Sequence, residues 1–104
     1  MDSITFSQAK ARCVAAIREG SLEHEAREVK ERKNLLAINA IDVEEAISLV
    51  QSTRGQQAKS APHHADHSIQ VWVFQPKDWY IKFYFIEKCM FISFHKRDPA
   101  PDRT

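Results

Sequence analysis

Glycine is almost missing from this chain: Gly20 and Gly55 are its whole complement in 104 residues. Phosphate cradles of the P-loop and dinucleotide kinds need several glycines in one turn, so both are excluded. There is no G-x-S-x-G elbow, which removes the usual strand-to-helix nucleophile. Cysteine is equally scarce. Cys13 falls in a predicted helix and Cys89 at a predicted hairpin, the pattern of two reduced thiols in a cytosolic protein rather than of a disulfide framework. No apolar run reaches the length of a membrane span, and the first residues hold no signal-peptide apolar core. A cytoplasmic protein without a membrane partner is expected.

A strong charge of one sign is lacking too, since fifteen Lys and Arg stand against fourteen Asp and Glu, for a net charge of +1. That balance speaks against a surface coated in basic patches, but its distribution is uneven. Residues 1–53 hold seven basic and nine acidic side chains, whereas residues 54–104 hold eight and five, with His63, His64, His67 and His95 besides. The second half can attract a phosphate backbone, and the first cannot do so on charge alone. Hydrophobic residues at 43% and charged ones at 28% are ordinary for a soluble globular domain. A chain of 104 residues suffices for one core without disulfides or a metal.

What the chain has in abundance lies between Ser68 and Lys96, where most of its aromatic and β-branched residues are gathered. Three antiparallel strands are predicted there, over 69–75, 79–86 and 90–95. Pro76-Lys77-Asp78 makes the first turn and Glu87-Lys88-Cys89 the second connection. Alternation in the second strand puts Ile81, Phe83 and Phe85 on an oily face and Tyr80, Lys82 and Tyr84 on the other, where Ser93 and His95 of the third strand join them.

Helices are predicted upstream. Thr5-x-x-Gln8 reads as a capping box, Phe6, Ala9, Cys13 and Ile17 recur at helical spacing, and Gly20 suits the residue just past the end. Ser21 is placed to cap a second helix with an apolar stripe of Leu22, Ala26, Val29 and Leu36 and a charged, solvated remainder that includes His24 and Arg27. The apolar stretch Asn34 to Ile41 has no firm period. Asp42-x-x-Glu45 is another capping box with Ile41 as a hydrophobic staple, and Val43, Ala46, Ile47 and Val50 form the core face of that helix. From Gln51 to Asp66 the pattern dissolves into a polar loop, and 97–104, with Pro99 and Pro101, reads as a disordered tail. Helices followed by an antiparallel sheet make an α+β domain, with the helices on the oily face and the basic-aromatic face open.

Two constellations could carry chemistry. His63, His64 and His67, with Asp66 and Cys89, offer metal-binding atoms, but no paired C-x-x-C frames them, and no metal or cofactor is expected. Tyr80, Lys82 and His95 suit metal-free RNA cleavage, which needs a proton acceptor at the 2′-hydroxyl, a cation at the crowded phosphate and an acid for the leaving 5′-oxygen. Tyrosine can hydrogen-bond the phosphate or stack on a base. The alternative is a sheet whose outer face is simply soluble.

Several short motifs bear a family resemblance. They are Phe6-Ser7-Gln8-Ala9-Lys10, Lys59-Ser60, Asp66-His67-Ser68-Ile69, Val73-Phe74-Gln75-Pro76, Tyr80-Ile81-Lys82 and Ile92-Ser93-Phe94-His95-Lys96. In order and spacing the chain resembles the motility quorum-sensing regulator toxins, mRNA interferases of the RelE/ParE superfamily. The resemblance implies residues 1–96 as a single RelE-like domain, acting as an endoribonuclease on mRNA and neutralised by a cognate antitoxin, with the ribosome as a further partner left open. It implies Lys59 and Tyr80 as catalytic residues. The family's strand glutamine falls on Val71, beside Gln70, and its terminal lysine on His95, beside Lys96. The expected catalytic set is therefore His95, Tyr80, Lys59 and Lys82, with His95 as general acid, and Lys96, Arg97, Gln70 and His67 are expected to bind RNA. The rival readings are a non-catalytic module that binds a protein through the same face and a zinc-binding domain built on the histidine loop.

Overall fold

The structure is a computed structural model and describes residues 4–24 and 41–96. Arg27, most of the 34–41 stretch, the Ala26, Val29 and Leu36 stripe, Arg97 and the tail lie outside the described residues, as does the side chain of His24. In order the chain forms α1 (Phe6–Glu19), β1 (Leu22–His24), α2 (Val43–Ser52), a 3-10 turn (Gly55–Gln57), β2 (Ala58–Pro62), β3 (Gln70–Phe74), β4 (Trp79–Ile86) and β5 (Lys88–Lys96). The sheet has five strands in the order β1-β5-β4-β3-β2. All neighbours are antiparallel except β1, which runs parallel to β5. The fold is α+β.

Local chemistry accounts for both helices. Thr5 Oγ1 accepts from the Gln8 amide at 3.2 Å while Gln8 Oε1 accepts from the Thr5 amide at 2.9 Å, which satisfies two N-terminal donors of α1 reciprocally. Gly20, at φ 78°, ends α1 in the left-handed conformation that glycine adopts without a Cβ penalty, and the Ser21 amide closes back on Ala16 O. Asp42 caps α2 by accepting from the Glu45 amide at 2.8 Å. Ala46, Ile47, Leu49 and Val50 are buried along α2, but the expected core residue Val43 is 45% exposed. Val43 is the first residue of the helix, at an end where the apolar stripe has not yet turned towards the sheet.

Three expectations need correction. Ser21 does not start a helix at Leu22: residues 22–24 pair with Cys89 to Phe91, because the turn at Gly20 delivers the backbone to the open edge of β5. The 51–66 stretch is a loop chiefly over 63–66. It holds the end of α2, the 3-10 turn and β2, whose five residues pair with Gln70 to Phe74 of β3. Ala-Lys-Ser-Ala-Pro has little strand propensity, and an edge position tolerates it, including a terminal proline. The third predicted strand starts earlier, at Lys88, leaving only Glu87, at φ 65°, between β4 and β5.

The core lies between the helices and one face of the sheet. Ala9, Cys13 and Ile17 of α1 and Ala46 and Val50 of α2 meet Trp72, Phe74, Ile81, Phe83, Phe91 and Phe94. Rings run edge to face through it, Phe74 to Phe83 at 5.0 Å between centroids and Phe6 to Phe74 at 5.4 Å. Phe85, the third residue of the predicted oily face, is half-buried against this cluster. Cys13 and Cys89 are both buried and unbridged, and burial, then the hydrogen-bonded Cys89 thiol, pushes the Cys13 thiol well above its ordinary value. Among the described residues no helix is long and apolar enough to cross a membrane. Phe83 is fully buried, so Phe83→Ala is expected to cost about 3–5 kcal/mol in urea denaturation. Val43→Ala is expected to stay within about 0.5 kcal/mol of the parent.

Candidate functional site

The open face of the sheet follows from register. Lys59 of β2 pairs with Val73 of β3, Val73 with Lys82 of β4, and Lys82 with Ser93 of β5, so two lysines lie in one row across four strands. With strands about 4.8 Å apart, their Cα atoms are about 10 Å apart, and two such side chains can reach one phosphate or its neighbour. One step along β4, Tyr80 pairs with His95 in the next row on the same face. Their rings lie 5.4 Å apart at 31°, and both are half-buried. The structure therefore brings Lys59, Lys82, Tyr80 and His95 onto one surface.

His95 is held in a defined state. Its Nδ1 lies 2.7 Å from the carbonyl oxygen of Lys96. A carbonyl can only accept, so Nδ1 is the donor in this contact and Nε2 is the ring nitrogen left without a role in it.

A bulge sets which β5 residues reach this face. Lys82 pairs with Ser93 and Phe83 with Phe91, so Ile92 is an extra residue with no partner across the strand. Ile92 turns outward with Val71 and Tyr84 into a second, smaller apolar cluster, with Ile69 and Met90 beside it. Tyr84 is thus buried instead of lying open. The spacing of Phe91 and Phe94 is the sequence signal for this bulge: both face the core, and strict alternation would oppose them.

The β2–β3 connection borders the same face. The His63 amide donates to Ile69 O, the Ile69 amide to Asp66 O, and His63 Nδ1 accepts from the Ala65 amide at 3.0 Å. His63 is buried edge-on against Tyr84 at 5.2 Å, and exposed His64 stacks on it at 4.7 Å and 18°. Together with Lys59, Pro62, Val71, Val73, Lys82 and Ile92 they line a depression of about 200 Å³. Cys89 does not approach these histidines, since it is buried on the helix side, and among the described residues no three His, Cys, Asp or Glu side chains are gathered as metal ligands.

Several residues expected to touch RNA sit elsewhere. Gln70 alternates with Val71 and shares the helix side with Trp72. Its Oε1 accepts from the Ile4 amide at 3.0 Å and its Nε2 donates to Ser60 Oγ at 3.1 Å, so it ties the start of α1 and the edge strand to β3. Lys96 pairs with Trp79, and its Nζ lies 6.0 Å from the Trp79 ring centre, on the side away from His95. His67 is the exception, exposed in the turn after Asp66 within the β2–β3 connection. A larger cavity of about 450 Å³ opens on the helix side between Arg12, Phe85, Gln70 and Glu87 and holds none of the four expected catalytic residues.

Asp66 closes its turn by accepting from Ser68 Oγ at 2.7 Å and the Ser68 amide at 3.1 Å, and these bonds hold its carboxyl below the usual range. A depressed carboxyl adds stability above its unfolded pKa, and that stability is lost as pH falls through the folded value. The Ser68 amide resonance should therefore move on acidification below the ordinary carboxylate range, and Asp66→Asn should flatten that titration. No protein-family model, curated protein or solved structure matches the chain.

Proposed function

We propose that the protein is a cytoplasmic, RelE-like toxin of a type II toxin–antitoxin system, a metal-independent endoribonuclease that cuts mRNA. The observation that carries this reading is the pairing of Tyr80 with a tautomer-fixed His95, one row from Lys82 and Lys59 on an open face. The 2′-hydroxyl of the substrate loses its proton to water and its oxygen attacks the adjacent phosphorus. Lys82 and Lys59 offset the charge gathered on the phosphoryl oxygens. The bond to the 5′-oxygen breaks in line, and His95 Nε2, protonated as imidazolium, gives that oxygen its proton. The products are a 2′,3′-cyclic phosphate and a 5′-hydroxyl. Tyr80 holds the imidazole from the side and hydrogen-bonds the phosphate. A cognate antitoxin would act by covering this face.

One observation favours a second reading. Val71, where the resemblance asks for glutamine, is buried in the outer apolar cluster with Tyr84 and Ile92, so that position supplies no polar group to a phosphate. A protein-binding module with the same fold would use the depression above this cluster instead.

Cleavage of single-stranded RNA separates the two. His95→Ala is expected to lower the rate by about 100- to 10,000-fold with fold and RNA binding retained. Tyr80→Phe removes only a hydroxyl and should keep the ring contact with His95. An imidazolium acid makes activity fall as pH rises past neutrality, whereas a lysine acid would hold it into the alkaline range. Activity unchanged in His95→Ala would remove His95 from the mechanism. A wild type that cuts no RNA but captures a protein on this face would establish the binding module.

A further inference from the structure

We propose that the depression beside the lysine row is a nucleobase pocket, which takes one unstacked base of a single-stranded nucleic acid while Lys59 and Lys82 hold the flanking phosphates. The assignment rests on the reading of this face as an RNA site and adds what reads the substrate there. Three features of the chain lead to it. The floor is apolar, built from Val71 and Val73 of β3 and from Ile92, and Ile92 reaches it only because the bulge adds a residue to β5. A depression of about 200 Å³ with an apolar floor and two lysines in its lining asks for a flat, oily group that carries negative charge close by. A nucleotide has that composition.

The wall is aromatic and fixed in place. His64 lies parallel to His63, His63 meets Tyr84 edge-on, and the His63 ring is anchored by the Ala65 amide. One side of the His64 ring is taken by His63, and His64 itself is exposed where it lines the depression. A base stacked there extends an existing column, and little ordering is needed on the protein side. Stacking of this kind tolerates any base, because each presents a π-face. The pocket would therefore position a nucleotide more than choose its identity. Charge complementarity selects a nucleic acid over a neutral apolar peptide, which would leave both lysines without a counter-charge.

The test uses two uncleavable probes of equal length and charge, a 2′-O-methyl oligoribonucleotide and its abasic counterpart, titrated at several salt concentrations. Wild type is expected to bind the base-bearing probe about tenfold or more tightly than the abasic one. His64→Ala should remove most of that preference without changing the slope of log affinity against log salt, and His64→Phe should restore it. Lys59→Ala should lower the slope for both probes alike. Equal binding of the two probes by wild type, with a steep salt slope, overturns the base pocket and leaves the RNA reading intact. Binding of neither probe, with capture of an acidic peptide in their place, overturns both.

Discussion

Phe91 and Phe94 must both face the helices, and a regular strand cannot turn residues three apart to the same side. The bulge at Ile92 resolves the conflict, and much of the molecule depends on it. Inward, it lets Phe91 sit against Phe83 and Phe94 against Trp79, so the ring contacts run unbroken through the core. Outward, it places Ile92 and Ser93 in succession on the open face. The same extra residue therefore completes the core and gives the opposite surface its apolar centre. Were the strand regularised without loss of a residue, every later residue of β5 would shift to the wrong side, His95 included.

The two faces of the sheet divide the work cleanly. The helix-side face carries the burial that holds the fold, with Gln70 clamping the chain's start and its edge strand to β3. The open face carries two lysines, a tyrosine–histidine pair and a histidine stack around a modest apolar cluster. Such a face need not be rebuilt to accept a ligand, because its side chains are positioned by the core beneath. The ion pair between Lys88 and Glu23, at 3.3 Å and half exposed, adds little to this frame.

The parts legible in the sequence are those in which one local rule dominated. Alternation along Trp79 to Ile86 was enough to place Ile81 and Phe83 inside and Tyr80 and Lys82 outside. The Thr5 capping box and Gly20 bounded α1. Elements made by pairing alone were illegible. β1 is three charged or polar-flanked residues, and β2 is small and polar; both exist because an open strand edge offers hydrogen bonds that their own composition does not demand. The candidate site was half legible for the same reason. Tyr80, Lys82 and His95 followed from strand alternation, whereas the approach of His63 and His64 to Lys82 depends on β2 and could not be seen without it.

The buried thiol pair gives the molecule a gauge of its own breathing. Cys13 lies on α1 and Cys89 on β5, each sealed from solvent, and the Cys13 thiol is held in its unreactive protonated form. An alkylating reagent can reach them only when the helix lifts from the sheet, so the rate of labelling counts those openings. The joint between α1 and β5 also underlies the face that carries His95. How often it loosens is therefore written in the chemistry of two residues buried on the helix side of the sheet.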